Sequence, residues 1–175
     1  MTEKKPTTDD FAAMVRRIRS AKTDPGVRTA LVYSLGASGD PRAIPILRGL
    51  IAEDRAPVLA ANLALARFGR DEEVERALLE RFRVVLQRWG VGQPGTYFTI
   101  THALGRCGGA ATAAVFVDTL PMVFASCDAT HALLGALEEI GPAARESLEQ
   151  LRDRGRPQEF VRWAEELLAL LDEPA

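Results

Sequence analysis

A short turn pattern recurs four times along this chain and constrains the fold more than any other feature. Each copy has a small residue, a leucine, two variable positions, a usually apolar residue and a glycine, at Ser34–Gly39, Ala64–Gly69, Ala103–Gly108 and Ala136–Gly141. The glycines that end the copies are separated by 30, 39 and 33 residues. Periods of this size are typical of helical repeats, in which each hairpin stacks on its neighbours to bury its apolar face.

Helical spacing of apolar residues predicts ten helices joined by short turns between residues 9 and 171, among them one over about 26–36 and a last one over about 157–171. The segment 96–107 is rich in β-branched and aromatic residues and, taken alone, is typical of a strand, whereas its repeat context favours a helix. Asp40 and Asp128 are predicted to cap the helices that follow them. The predicted class is all-α, a right-handed solenoid of about five stacked antiparallel hairpins.

Length and composition favour one folded domain. The 175 residues, 47% of them hydrophobic, can bury a sizeable core, so we expect a single repeat domain over 9–175 after a disordered tail over 1–8. No apolar run approaches the about 20 residues of a membrane span, and Cys107 and Cys127 are too few for a disulfide framework. We therefore expect a cytoplasmic protein with reduced cysteines, no membrane contact and no cofactor.

One repeat resembles a known family. The stretch from Val27 to Leu47 is similar to the HEAT-like repeat of the phycobilisome-lyase type, which has a Val-Arg helix, a Leu-Gly turn and a helix that begins with Asp-Pro. The turns at Gly69, Gly108 and Gly141 fit this form, although their repeats lack the Val-Arg and Asp-Pro pairs. The resemblance covers most of residues 9–171 and implies a protein-binding scaffold, with enzymes as a minority of such proteins.

The repeat register assigns residues to faces, since the resemblance implies that one helix of each hairpin lines the concave groove. Counting from Val27, Pro57, Thr96 and Ala129 as position zero, positions four, seven, eight and eleven are predicted to be buried, and positions two, three, six and ten to face the groove. The predicted partner-binding residues are Thr29, Tyr33, Leu59, Leu63, Arg67, Phe98, His102, Arg106 and His131.

Within this set, Tyr33, Leu59, Leu63 and Phe98 would form an apolar strip. Arg67 and Arg106 at its edge would select an acidic or C-terminal feature of the partner. A register error of one residue would instead place Leu59 and Leu63 in the core, where leucines are usually found.

Three patterns that could carry chemistry are better explained by structure. Gly90–Gly95 matches the letters of the dinucleotide fingerprint, but that fingerprint follows a strand, and here a helix precedes it. His102, Cys107, Cys127 and His131 are soft metal ligands, yet the two histidines fall on different turns of adjacent helices. No serine, histidine and aspartate share a spacing that suggests catalysis, so no catalytic or metal site is predicted.

The predicted function is a non-enzymatic scaffold or adaptor that binds a protein or peptide in its groove. The alternatives are an enzyme or chaperone-type lyase similar to the bilin lyases, and a nucleic-acid-binding protein similar to the DNA glycosylases of this architecture. The net charge of −2 disfavours binding held mainly by phosphates. A structural repeat without any native ligand is a further alternative, which the irregular repeat spacing disfavours.

Overall fold

A computed structural model describes residues 8–53, 57–89, 94–154 and 157–173 of the chain. These residues form helices joined by turns and contain no strand, so the all-α class is confirmed. The helices are α1 (Thr8–Arg19), α2 (Pro25–Ala37), α3 (Ala43–Ala52), α4 (Val58–Ala66), α5 (Glu72–Gln87), α6 (Pro94–Cys107), α7 (Ala110–Val123), α8 (Cys127–Ile140), α9 (Arg145–Asp153) and α10 (Gln158–Asp172), with a 3₁₀ turn at Gly141–Ala144. The helical prediction for 96–107 is confirmed by α6.

The chain divides into two compact units, residues 1–100 and residues 101–175. In the first, α4 packs against α2 and α3, and α5 packs against α3. In the second, α7 packs against α8 and α9, and α10 packs against α9 and α8. Helices thus contact their neighbours and next neighbours in the chain, as in HEAT-type repeats.

The predicted tail over 1–8 lies almost entirely outside the residues that the structure describes. Helix α1 is the first described element and begins at Thr8. The disordered tail over 1–8 stays a prediction. Residues 1–7 lie outside the described residues. The single domain over 9–175 stays a prediction.

Helix α4 is buried on nearly all sides because α2 and α3 both pack against it. Ala60, predicted to face the groove, is therefore buried, and that part of the face assignment is wrong. Ser34, predicted to be buried, is exposed, and its hydroxyl donates to the carbonyl of Ala30 within α2 at 3.0 Å. Because the Ser34 hydroxyl already bonds within its own helix, it does not need a hydrogen-bond partner on another helix.

The same close contact between helices occurs once in each unit. A Cβ atom on Gly36 of α2 would lie 2.7 Å from Cβ of Ala64 on α4. A Cβ atom on Gly105 of α6 would lie 3.1 Å from Cα and Cβ of Ala136 on α8. Both pairs join position nine of one repeat to position seven of the next, so a glycine facing an alanine is a repeated packing device of this chain.

The two predicted helix caps are wrong. Helix α3 begins at Ala43 instead of following Asp40 directly, because the Asp40 carboxylate accepts from the backbone N–H of Arg42 at 3.0 Å and forms a turn before the helix. Helix α8 begins one residue before Asp128, and its cap is Ser126, whose Oγ accepts from the N–H of Ala129 at 3.4 Å.

Candidate functional site

Helices α2, α4 and the first half of α6 present four apolar side chains that we call the apolar row: Tyr33, Leu59, Leu63 and Phe98. Tyr33 and Leu59 are each 39% exposed and Phe98 is 37% exposed, whereas Leu63 is half-buried. All four residues belong to the unit formed by residues 1–100. The sequence register named each of them.

Contacts between α4 and α6 fix the position of the row. The Leu59 side chain lies 3.9 Å from the point that a Cβ atom on Gly95 would occupy. One turn further along both helices, Asn62 Nδ2 donates to Thr99 Oγ1 at 3.3 Å. Successive contacts in the same order along the two helices mean that α4 and α6 run side by side in the same direction. Phe98 therefore lies beside the turn of α4 that carries Leu59 and Leu63.

Tyr33 lies on α2, which contacts α4 as α6 does. It lies one turn before Gly36, whose Cβ position would be 2.7 Å from Cβ of Ala64 on α4. The two exposed aromatic residues, Tyr33 and Phe98, are thus carried by two helices that both contact α4.

Buried aromatic rings support Phe98 from within the unit. Its ring meets that of Tyr97 edge to face, with centroids 5.4 Å apart, and Tyr97 is 1% exposed. Tyr97 in turn lies 4.7 Å from the Trp89 ring and 5.8 Å from the Phe82 ring. Because Phe98 stands on this packed cluster, its exposed face keeps a fixed position.

Two polar residues of the predicted site border the row. Arg67 is the C-cap of α4, is exposed, and has no ion-pair partner among the described residues. Thr29 on α2 is half-buried, and its hydroxyl donates to the Pro25 carbonyl at 3.0 Å. Of Arg67 and Thr29, only Arg67 thus has hydrogen-bond donors that no described residue uses.

The other three predicted site residues belong to the unit formed by residues 101–175. His102 and Arg106, both exposed on α6, face one carboxylate that the predicted site did not include, Glu139 of α8. Glu139 Oε2 lies 3.7 Å from His102 Nδ1, and Oε1 lies 3.8 Å from Arg106 Nε. The carboxylate reaches them across Gly105, where a Cβ atom would lie 2.8 Å from Oε2. Arg106 is therefore partly neutralised within the chain, unlike Arg67.

His131 makes its contacts within its own helix. Its Nδ1 lies 2.8 Å from the carbonyl oxygen of Cys127 and 3.2 Å from the Cys127 sulfur. Cys107 is buried, and its thiol donates to the Ala103 carbonyl at 3.1 Å. Within the described ranges, no three His, Cys, Asp or Glu side chains are grouped as a metal ion would require.

The glycine-rich segment lies mostly outside the described residues, which omit 90–93. Pro94 and Gly95 form the start of α6, and the element before the gap is the helix α5. A dinucleotide fingerprint follows a strand, which the described element is not. No described helix is both long and apolar enough to cross a membrane.

Comparison with protein families gives a match to a family model described as HEAT repeats, over residues 7–67. The match includes α1 to α4 and therefore Tyr33, Leu59 and Leu63 of the apolar row. No curated protein and no solved structure matches the chain. The phycobilisome-lyase type stays a prediction. Over residues 7–67, about a third of its length, the chain is therefore similar to HEAT repeats.

Proposed function

We propose that this chain is a non-enzymatic, cytoplasmic adaptor that binds a protein or peptide across the apolar row. HEAT repeats commonly serve as protein-interaction scaffolds. The observation that carries the proposal is the exposure of three large apolar side chains, Tyr33, Leu59 and Phe98, on neighbouring helices. Contiguous exposed apolar residues with a polar border are typical of interaction sites.

Tyr33 and Phe98 are suited to act as anchors. Aromatic residues are enriched among the few side chains that supply most of the binding energy at protein interfaces. The Tyr33 hydroxyl has no hydrogen-bond partner among the described residues, so it can bond to a partner's backbone while its ring packs against apolar groups.

Contacts between the helices hold the row in place before any partner binds. Asn62 and Thr99 join α4 to α6, and the Gly36 and Ala64 contact joins α2 to α4. Side chains carried on packed helices lose little freedom on binding, so more of the contact energy appears as affinity.

A pull-down from the native host tests the proposal with a matched pair of variants. The double variant Tyr33→Ala/Phe98→Ala removes the two aromatic anchors. The control, Met122→Ala/Leu170→Ala, removes two apolar side chains that are 56% and 48% exposed elsewhere on the chain. We expect partners recovered by the wild type and the control to be bound at least about tenfold more weakly by the aromatic double variant.

Equal recovery by all three proteins would exclude the row as the binding surface. The alternatives give different results in the same samples. A bilin lyase-like enzyme would retain an added bilin, and a glycosylase-like protein would retain duplex DNA, in both cases independently of the anchors.

A further inference from the structure

We infer that the partner segment is an acidic amphipathic peptide whose apolar side chains cover the apolar row and whose carboxylate binds Arg67. This inference rests on the proposed function and adds the chemistry of the partner. The distribution of charge, the pairing of the arginines and the geometry of α4 support it.

The net charge of −2 conceals opposite charges in the two units. Residues 1–100 contain 16 Lys and Arg against 12 Asp and Glu, whereas residues 101–175 contain 6 against 12. The unit that carries the apolar row is thus net positive by four. An acidic segment is attracted to this unit, because opposite net charges steer association.

Ion pairing within the chain increases the difference in available positive charge between the two units. Every described arginine of residues 101–175 lies within 4.0 Å of a carboxylate. One of these pairs, with Asp172, raises the pKa of Arg145 through a hydrogen bond and the attraction of the two charges. In residues 1–100, by contrast, several exposed cations have no described carboxylate within ion-pair distance, among them Arg16, Arg17, Arg19, Arg67, Arg76 and Arg83.

Arg67 is the unpaired cation that continues the row. Leu59, Leu63 and Arg67 follow one another at intervals of four residues, so they lie along one side of α4. At 1.5 Å per residue, the arginine lies about 12 Å along the helix axis from Leu59. An extended peptide covers this distance in about four residues.

The arrangement favours a peptide over a nucleic acid. Phosphates recur at every nucleotide, so a bound strand needs cations along its whole path. Here the centre of the row, Leu59 and Leu63, is apolar, and the cation lies at one end. A segment with apolar residues followed by a carboxylate about four residues later matches that order.

Fluorescence anisotropy with four labelled probes tests the inference. The acidic pool consists of short peptides with Leu, Ile, Phe or Tyr at the apolar positions and Glu about four residues further on. The basic pool has Lys in place of Glu, the polar pool has Ser in place of the apolar residues, and the fourth probe is single-stranded oligothymidine. We expect the wild type to bind the acidic pool about tenfold more tightly than the basic pool, as a charge-assisted hydrogen bond predicts.

Variants at two exposed arginines identify the residue responsible. Arg67→Gln is expected to abolish the preference for the acidic pool, and Arg67→Glu to reverse it. Arg76→Glu on α5 makes the same change of charge at another unpaired arginine of this unit and is expected to retain the preference. Far-UV circular dichroism of each variant checks that the helices persist, and the glutamine variant keeps the test valid if the glutamate variant does not fold.

A failure of the acidic partner and a failure of the proposed function give different results. Charge-independent binding that is lost in Tyr33→Ala/Phe98→Ala would overturn the acidic partner and leave the proposed function standing. Binding that never depends on Tyr33 and Phe98 would overturn both. Tighter binding of oligothymidine than of any peptide pool would also overturn both, in favour of a nucleic acid. Equal loss in the Arg67 and Arg76 variants would attribute the preference to net charge and overturn the role of Arg67.

Discussion

At the scale of single residues, Gly36 allows α2 and α4 to approach each other closely, because it has no Cβ atom. A Cβ atom there would meet Cβ, Cα and the carbonyl oxygen of Ala64 at 2.7, 2.8 and 2.8 Å. Backbone atoms cannot rotate away, so Gly36→Ala is expected to lower the free energy of unfolding by about 1–3 kcal/mol. This loss outweighs the roughly 1 kcal/mol that alanine gains over glycine in a helix. Urea unfolding followed by far-UV circular dichroism measures the difference.

Gly49 is the matched control for this prediction. It also lies inside a helix, α3, but a Cβ atom there would have nothing within 4 Å beyond its chain neighbours and the backbone of its own helix. Gly49→Ala is therefore expected to raise the free energy of unfolding, by up to about 1 kcal/mol. Stabilisation by both substitutions would show that α2 and α4 are not in close contact.

Sequence reasoning located the turn glycines without separating their roles. Gly39, Gly69 and Gly141 have φ angles of 61°, 72° and 69°, which other residues rarely adopt. Gly108 ends the same pattern for another reason, since a Cβ atom there would lie 2.5 Å from the Leu104 carbonyl oxygen and 2.6 Å from Thr112 Oγ1. The sequence shows a glycine in both cases. Only the surrounding atoms distinguish a glycine required by the backbone conformation from one required by close packing.

At the scale of helices, a polar pair joins α4 to α6. Asn62 is fully buried and Thr99 is half-buried. Asn62 Nδ2 donates to Thr99 Oγ1, and Asn62 Oδ1 has no hydrogen-bond partner among the described residues. Thr99→Val removes the acceptor and leaves the buried amide unpaired, at an expected cost of about 1–3 kcal/mol in the free energy of unfolding. The double variant Asn62→Leu/Thr99→Val leaves neither group unpaired and is expected to be more stable than Thr99→Val alone.

A double-mutant cycle of urea unfolding curves, completed with Asn62→Leu, measures this coupling. Strictly additive effects of the two substitutions would contradict a direct hydrogen bond between α4 and α6.

Helix positions were largely predictable, and their ends and partners were not. Apolar periodicity placed helices over 26–36 and 157–171, close to the observed Pro25–Ala37 and Gln158–Asp172. Periodicity reports which face is buried, so it also named the exposed Tyr33 and Phe98. It failed at Ala60 because α4 is enclosed on two sides, a property of its neighbours rather than of its own sequence.

At the scale of the whole molecule, the net charge of the chain does not reveal how the individual charges are arranged. Arg154 pairs with Asp118 at 2.8 Å and Arg145 with Asp172 at 2.5 Å, so distant parts of the sequence neutralise each other within residues 101–175. Neither pair follows from sequence spacing, since the partners lie on different helices. The net charge of the chain therefore says little about the partner of residues 1–100.

The two cysteines provide a test of whether the native chain is packed as described. Cys127 is exposed at the start of α8, while Cys107 is 1% exposed at the end of α6 with its thiol bonded to a carbonyl. In native protein, a disulfide reagent such as Ellman's is expected to modify Cys127 promptly. Cys107 should react at least about a thousandfold more slowly, because a buried thiol reacts only when its surroundings open and native domains open rarely.

Absorbance at the wavelength of the released thiolate follows both reactions, and urea should make both thiols react at once. Cys127→Ser is the control, expected to remove the fast reaction and to leave the slow one unchanged. Two fast reactions in native wild-type protein would mean that the end of α6 does not pack as described. Since Gly105 and Arg106 directly precede Cys107, that result would also remove the basis for placing Glu139 against Arg106, and with it the contrast between a paired Arg106 and an unpaired Arg67.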